Sequence, residues 1–120
     1  MKSQATTYPL FANGLDTTLR VRLADTFWRR LIGLISSPKL HPQEGLWITP
    51  CQRIHTLGMR WPIDVLMLND AGTVVSLTEK LGICRLGPSG QHAGSALELA
   101  SGSIGKYGFA LGDQLTLGDP

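Results

Sequence analysis

The sequence predicts a mainly β fold, a small sandwich or barrel-like arrangement of about seven short strands with one α-helix near the N-terminus. The chain of 120 residues is long enough for one hydrophobic core and too short for two. Short apolar segments alternate with turn signals along most of its length, whereas only one segment has clear helical periodicity. We therefore expect a flexible N-terminus over residues 1-7 and a single β-rich domain over residues 8-120.

The first predicted element is a hairpin of two strands, Tyr8 to Ala12 and Thr17 to Leu23. Asn13-Gly14 between them can supply the two positive-φ positions that a tight hairpin turn needs. Apolar and polar residues alternate in the second strand, which is typical of a half-exposed strand. We expect that strand at an edge or outer position of the sheet.

The predicted helix follows, from Thr26 to Ile35, with Asp25 or Thr26 as its N-cap. Its apolar side chains recur at helical spacing: Phe27, Leu31, Leu34 and Ile35. A Ser-Ser-Pro run after the last of them ends the helix.

The centre of the chain is predicted to contain two strands, Leu46 to Thr49 and Met59 to Leu68, joined by a loop from Cys51 to Gly58. Pro50 closes the first strand. Both faces of the second strand are apolar, which indicates a central strand covered on both sides. On that strand Met59, Trp61, Ile63, Val65 and Met67 share one face, and Asp64, Leu66 and Leu68 share the other.

The remaining elements are short. The turn from Asn69 to Gly72 leads into a partner strand, Thr73 to Leu77. Further on we predict a candidate strand at Leu81 to Leu86, a loop at Gly87 to Gly90, a strand at Ser95 to Leu99, a helical turn from Ser103 to Tyr107 capped by Ser103 and ended by Gly108, and a last strand at Gln114 to Leu117.

Charge and hydropathy exclude several classes of protein. The eleven Lys and Arg residues are scattered and the net charge is +2, so the clustered basic stripe of a nucleic-acid binder is missing. No apolar window of about 18 residues exists, so a transmembrane helix is excluded. No secretory signal is recognisable, and we expect a cytoplasmic protein unless a signal segment has been removed.

The two cysteines, Cys51 and Cys84, have neither CxxC spacing nor a ring of other ligands in sequence. In a cytosolic protein of this size they are expected to be buried thiols. A disulfide between them and a shared metal remain open alternatives.

Three blocks of the chain resemble a known family: WRRLIGLISSPKL, EGLWITPCQRIHTLGMRWPIDVLMLNDAGTVV and ALELASGSIGKYGFALGDQL. Over roughly Leu19 to Leu117 the chain resembles the family known as domain of unknown function 192, also called uncharacterised protein family UPF-0127. The resemblance implies a small β-rich fold with a helix near the start, and it implies no established reaction. Many relatives carry Met-Lys-Asn-Thr where this chain has Met59-Arg60-Trp61-Pro62, so this chain is the His-Thr-x-Gly-Met variant.

Asp64 is the sharpest chemical signal because a carboxylate between Ile63 and Val65 in a covered strand is costly unless it is hydrogen-bonded or paired. One interpretation is structural, with Asp64 accepting backbone N–H groups of the loop from Cys51 to Gly58. The other is functional, with Asp64 facing a cavity near His55. Glu98 lies between two leucines in the same way, and the two acids could approach one another across the sandwich, which would raise one pKa.

The polar residues around His55 form the candidate site. His55 can act as a base or ligand near neutral pH, and Arg53 with Arg60 can hold a carboxylate or phosphate bidentately. Each of these side chains could instead be only hydrogen-bonded within the protein or exposed to solvent. Met59, Trp47 and Trp61 could line a pocket or fill the core. The predicted ligand-binding residues are Arg53, His55, Thr56, Met59, Arg60 and Asp64.

No nucleophile motif accompanies these residues, so the leading hypothesis is a binding or accessory module that contacts a small polar or anionic ligand or a partner protein. The alternative is a small enzyme, a metal-assisted or acid/base hydrolase that uses His55 and Asp64. Cys51, His55 and Asp64 with Cys84 or His92 have compatible ligand types, but their spacing is not diagnostic, and we assign no metal and no cofactor. The catalytic residues and the oligomeric state stay open.

Overall fold

The computed structural model describes residues 6–24, 40–51, 53–55, 61–81, 86–89 and 93–120. Within these residues the chain forms nine strands and one short helix. In chain order they are β1 (Thr7–Ala12), β2 (Leu15–Ala24), β3 (Glu44–Ile48), β4 (Arg53–His55), β5 (Ile63–Asn69), β6 (Val74–Leu81), β7 (Leu86–Ser89), β8 (Ala93–Ala100), α1 (Ser103–Tyr107) and β9 (Leu115–Leu117). The prediction of a mainly β fold is confirmed.

Seven strands form one mixed sheet in the order β6-β5-β8-β3-β2-β1-β9, and β4 pairs with β7 in a separate two-stranded sheet. Within the large sheet β2 and β3 are parallel, and the other neighbours are antiparallel. The two edge strands meet where they begin, because Thr73 bridges to Gln114 and Val74 donates its N–H to the Asp113 carbonyl oxygen. The large sheet therefore curls towards a barrel.

Each face of the curled sheet carries an apolar cluster. The first cluster draws residues from strands at both ends of the sheet and from α1, so it fills the concave face: Leu10, Leu19, Val21, Leu66, Leu68, Val74, Leu97, Leu99, Ile104, Phe109 and Leu115. The second lies on the convex face of the central strands: Ala24, Leu40, Leu46, Ile48, Ile63, Val65, Met67, Ala93 and Ala96. Strand β5 contributes to both clusters, which confirms the prediction of a central strand covered on both sides.

The first hairpin forms as predicted, with Asn13 at φ 52° and Gly14 at φ 82° between β1 and β2. The predicted edge position of β2 is wrong, because β2 lies between β1 and β3. Its buried residues alternate with more exposed ones, as the sequence indicated. The alternation shows that one face of the strand is covered. It does not show whether the strand has one neighbour or two, because an interior strand with one open face has the same pattern as an edge strand.

Two short strands replace predicted loops. Strand β4 lies within the predicted loop from Cys51 to Gly58, and β7 begins at Leu86, the last residue of the predicted candidate strand, and continues through most of the predicted loop from Gly87 to Gly90. Each provides the other's hydrogen-bonding partner, with Arg53 opposite Ser89. Gly and Pro weaken a central strand but are tolerated in a strand with an open edge, so the local signal was misleading.

The helix of the described residues lies near the C-terminus, not near the N-terminus where the fold-class prediction placed it. The predicted helix from Thr26 to Ile35 falls outside the described residues. Helix α1 ends at Gly108 as predicted, with Gly108 at φ 71° donating its N–H to Ile104. The predicted cap is wrong: Gly102 occupies the N-cap position, and no side chain there makes a capping bond. No helix among the described residues is long and apolar enough to cross a membrane.

Candidate functional site

Asp64 is fully buried on the concave face and makes two backbone hydrogen bonds. Its Oδ1 accepts the N–H of Lys80 at 2.9 Å, and its Oδ2 accepts the N–H of Ile104 at 2.8 Å. Lys80 has a φ of 52° at a register shift between β5 and β6, so its N–H is turned out of the regular strand ladder. Ile104 lies in the first turn of α1, which otherwise lacks a side-chain cap. Asp64 thus joins the β6 irregularity to the start of α1.

These two bonds differ from the structural role predicted for Asp64. The expected donors were backbone N–H groups of the loop from Cys51 to Gly58, whereas the described donors belong to β6 and α1. A carboxylate at the start of a helix is favoured because the first backbone N–H groups of a helix lack internal partners. The described contacts of Asp64 therefore stabilise the packing of β5 against β6 and the start of α1.

Glu98 is the second buried carboxyl group and lies on the convex face. It is opposite Leu46 on β3 and Val65 on β5, and both of these belong to the convex cluster. It has no exposed surface, and neither of its carboxyl oxygens has a hydrogen-bond partner in the described structure. Burial in apolar surroundings raises the pKa of Glu98 from 4.5 to about 8, because the charged form is desolvated.

The predicted approach of Asp64 to Glu98 is wrong. Asp64 is opposite Leu99, whereas Glu98 is opposite Val65. Successive residues of a strand point to opposite faces, and residues paired across strands share a face. The two carboxyl groups are therefore separated by the sheet, and the raised pKa of Glu98 comes from burial alone.

The candidate segment, Cys51 to Asp64, begins beside β8, the strand that carries Glu98. Cys51 donates its backbone N–H to the carbonyl oxygen of Gly94 on β8 at 2.8 Å. Its partly buried side chain packs against the convex cluster. Cys51 is thus less buried than the sequence suggested, and Cys84 lies outside the described residues.

The structure describes only part of the predicted site. Arg53 and His55 lie on β4, where His55 is opposite Leu86 of β7. The predicted ligand-binding residues Thr56, Met59 and Arg60 lie outside the described residues, as does His92. Of the predicted site, the structure therefore describes Arg53 and His55, which lie on the same short strand, and Asp64 on β5.

The two tryptophans proposed for a pocket do not lie together on the convex face. Trp47 is half-buried against the concave cluster, on the side of the sheet that faces away from Glu98. Trp61 precedes β5 and is 41% exposed, so it is not a core residue of that strand. Pro62 follows it, and β5 begins only at Ile63.

Glu98 was not among the predicted site residues although its sequence context resembles that of Asp64. The available signal was an acid between Leu97 and Leu99 in a strand whose two faces are both apolar. Local sequence could not separate the two acids, because each needs a donor from elsewhere in the chain. The fold supplies two donors to Asp64 and none from its described part to Glu98.

Two solved structures are similar to this chain. One is a protein of unknown function from Novosphingobium aromaticivorans DSM 12444, 18% identical with a TM-score of 0.81, and the alignment covers 95% of this chain and 87% of that chain. The other, from Sinorhizobium meliloti 1021, is described as a candidate transcription regulator and is 19% identical with a TM-score of 0.81 and 98% coverage of both chains. At such low identity the likeness shows a shared fold and nothing about activity.

No functionally curated protein matches this chain. A family model for the domain of unknown function 192 (DUF192, Uncharacterized ACR) matches residues 10–117. That range includes both buried carboxyl groups and the whole candidate segment. The resemblance read from the three sequence blocks is confirmed.

Proposed function

The chain belongs to the domain of unknown function 192 family, and from that premise we propose that it is a binding or accessory module rather than an enzyme. Its site is the segment from Cys51 to Asp64. The ligand is a small polar or anionic compound or an exposed group of a partner protein. The proposed contacts are Arg53, His55, Thr56, Met59 and Arg60, whereas Asp64, the sixth predicted residue, accepts backbone N–H groups of Lys80 and Ile104.

The single observation that carries this proposal is that both carboxylate oxygens of Asp64 are already occupied by hydrogen bonds. Both of its oxygens accept backbone N–H groups on the concave face, at 2.9 Å and 2.8 Å. A carboxylate that served as a base or metal ligand would have to weaken these bonds, and hydrogen bonds to a charged group are worth about 1.5–3 kcal/mol each. The predicted site is thereby left with cations and hydrogen-bonding groups but without its expected catalytic carboxylate.

The remaining charges favour an anionic group on the ligand. Arg53 and Arg60 flank His55, and a guanidinium group matches the two oxygens of a carboxylate or phosphate. Arg53 lies on β4, whose pairing with β7 gives this part of the segment a defined backbone. A binding site on a paired strand is held more firmly than one on an unpaired loop.

An enzymatic alternative keeps one supporting observation, the buried Glu98 with its pKa raised to about 8. Buried carboxyl groups with raised pKa values are common among catalytic acids. In this alternative Glu98 replaces Asp64 as the acid that works with His55. Stoichiometric zinc in the purified protein that is lost on His55→Ala would favour it over the binding module.

A regulatory role at DNA is not part of the proposal. The description of one similar structure as a candidate transcription regulator belongs to that protein, which is 19% identical to this chain. A net charge of +2, with eleven basic residues distributed along the chain, provides little attraction to a phosphate backbone.

The proposal is tested by titrating the isotope-labelled protein with inorganic phosphate and with citrate and following backbone amide shifts. We expect shifts around β4 that saturate and that disappear in Arg53→Gln and Arg60→Gln. Arg20→Gln is the matched control, because Arg20 is an exposed arginine on β2 that pairs with Asp16 at 3.8 Å. Shifts that are absent for both anions, or that are lost equally in the control, would contradict the anionic ligand.

A further inference from the structure

The turn between β1 and β2 contains the one Asn-Gly pair of the chain, Asn13-Gly14. Both residues are exposed, and a Cβ built on Gly14 would meet nothing within 4 Å. Glycine has no side chain to shield its backbone nitrogen, so this nitrogen can attack the side-chain carbonyl carbon of a preceding asparagine. The turn therefore carries the two groups of an intramolecular reaction.

The side-chain amide of Asn13 is hydrogen-bonded at both ends to the segment that precedes β9. Its Nδ2 donates to Oδ1 of Asp113 at 3.1 Å, and its Oδ1 accepts the backbone N–H of Gln114 at 2.9 Å. The backbone N–H of Asn13 also donates to the carbonyl oxygen of Gln114 at 2.8 Å. Asn13 is thus joined to two residues that lie 100 and 101 positions later in the chain.

The same two residues close the large sheet on itself. Val74 at the start of β6 donates its N–H to the carbonyl oxygen of Asp113 at 2.9 Å. Thr73 donates its hydroxyl group to Oε1 of Gln114 at 2.9 Å. We call these two contacts between Thr73–Val74 and Asp113–Gln114 the barrel seam. Asn13 therefore holds, from the side of β1, the residues that form the seam with β6.

We propose that Asn13 is a conditional modification site, which deamidates when the segment of Asp113 and Gln114 moves away and is unreactive while that segment is in place. The backbone nitrogen of Gly14 forms a bond to Cγ of Asn13, and Nδ2 leaves as ammonia with the proton of the Gly14 N–H. One water molecule then opens the cyclic imide and leaves aspartate or isoaspartate at position 13. The inference goes beyond the proposed function and does not depend on it.

The hydrogen bonds of Asn13 oppose this reaction in the folded protein. Ring closure requires Cγ of Asn13 to turn towards the nitrogen of Gly14, whereas both side-chain bonds hold the amide beside Asp113 and Gln114. The backbone is also fixed, because Asn13 at φ 52° and Gly14 at φ 82° form a tight hairpin turn. The reaction must therefore proceed through a local opening that breaks both side-chain bonds.

The product cannot restore the contact with Asp113. A carboxyl group at position 13 has no N–H to donate, and it would face the carboxyl group of Asp113 where the amide was bonded at 3.1 Å. Like charges at such a distance repel each other. Isoaspartate also adds a carbon atom to the backbone of the turn, which changes its geometry. Conversion of Asn13 therefore weakens the support of the barrel seam and is not reversed by closing it.

The first experiment compares the wild-type protein folded and in urea, in the same mildly alkaline buffer, with deamidation located by mass spectrometry of peptides. We expect Asn13 to react roughly a hundredfold more slowly in the folded protein, about a factor of ten for each side-chain hydrogen bond that must open. Asn69, the other asparagine of the chain, precedes Asp70 and is the internal reference. In urea it should react more slowly than Asn13, because a side chain shields the following nitrogen.

The second experiment removes one bond. In Asp113→Asn a single side-chain oxygen faces two donors, Asn13 Nδ2 and the Ala110 N–H, which Asp113 accepts separately. We expect Asn13 in the folded variant to deamidate about tenfold faster than in wild type, with an unchanged rate in urea. Asp119→Asn is the matched control, because Asp119 is exposed and Pro120 after it has no N–H for the reaction. Its rate at Asn13 should equal that of wild type.

The third experiment tests the effect on the seam. Asn13→Asp should lower the urea midpoint, and Asn13→Asp combined with Asp113→Asn should recover most of the loss, because the amide and the carboxyl group have exchanged places. Equal deamidation of Asn13 in folded and unfolded wild type would overturn the inference, and so would a double variant no more stable than Asn13→Asp.

An unchanged rate in folded Asp113→Asn would also overturn the inference. If that variant does not fold, hydrogen exchange of the Gln114 amide in wild type at low urea replaces it, since this amide is released by the same opening. Deamidation of Asn13 must rise in proportion to that exchange. A rate that does not follow the exchange would show that the contact does not control the reaction.

Discussion

Replacing Glu98 by glutamine is expected to remove a large part of the pH dependence of folding stability. The carboxyl group is fully buried and has no hydrogen-bond partner among the described residues, so folding favours its neutral form. Its pKa is about 8 in the folded protein, against 4.5 when solvated. Between these values the unfolded chain has released the proton and the folded chain retains it. Stability from this group is therefore fully present below pH 4.5 and is lost as the pH rises towards 8.

The magnitude follows from the size of the shift. Each pH unit in the window costs about 1.4 kcal/mol, so the whole window corresponds to roughly 5 kcal/mol as an upper figure. Above pH 8 the folded and unfolded states are both ionised, and the contribution becomes constant. Glutamine has nearly the same shape and does not titrate, so Glu98→Gln should lack this slope.

Urea denaturation at intervals from pH 5 to pH 9 measures the effect, since the difference in unfolding free energy between wild type and variant cancels the titration of other groups. We expect that difference to change by about 1.4 kcal/mol per pH unit up to about pH 8. Glu79→Gln is the control, because Glu79 is exposed on β6 and its variant should follow the wild-type profile. Parallel profiles for wild type and Glu98→Gln would refute the burial argument.

Two further predictions concern substitutions that lower the stability of the fold. Asp64→Asn should lower the melting temperature by several degrees in calorimetry, because a charged hydrogen bond to Lys80 or Ile104 is worth about 1.5–3 kcal/mol; an unchanged value would favour a ligand role. Gly45→Ala should lower the unfolding free energy by about 1–3 kcal/mol in urea, because the added Cβ would lie 2.7 Å from Leu99 Cδ2. No loss of stability would show that Leu99 repacks freely.

Local signals predicted the parts of the fold that are decided within a few residues. The Asn13-Gly14 turn joins β1 to β2 because both residues accept positive φ. The turn from Asn69 to Gly72 joins β5 to β6, with Gly72 at φ 82°. The two apolar faces of β5 predicted that both of its faces are covered, and this pattern is also a property of one short segment.

Pairing between distant segments could not be predicted in this way. The interior position of β2 depends on β3 lying parallel to it, and no feature within β2 encodes that neighbour. Strands β4 and β7 are short and poor in strand signals, and each forms because the other lies beside it. Hydrogen bonds to a distant strand override weak local preference, since the backbone groups of both segments are satisfied together.

The sequence by itself determined that this chain has two acids inside apolar strands, Asp64 and Glu98, and that both must be accounted for. Alternation along each strand also determined that each acid shares a face with its second neighbours. Only the tertiary structure decided that Asp64 accepts the N–H groups of Lys80 and Ile104 on the concave face, while Glu98 lies between Leu46 and Val65 on the convex face with no donor among the described residues. The reason is that the face of a side chain is set by its position in its own strand, whereas its hydrogen-bond partners come from strand register and from elements distant in sequence.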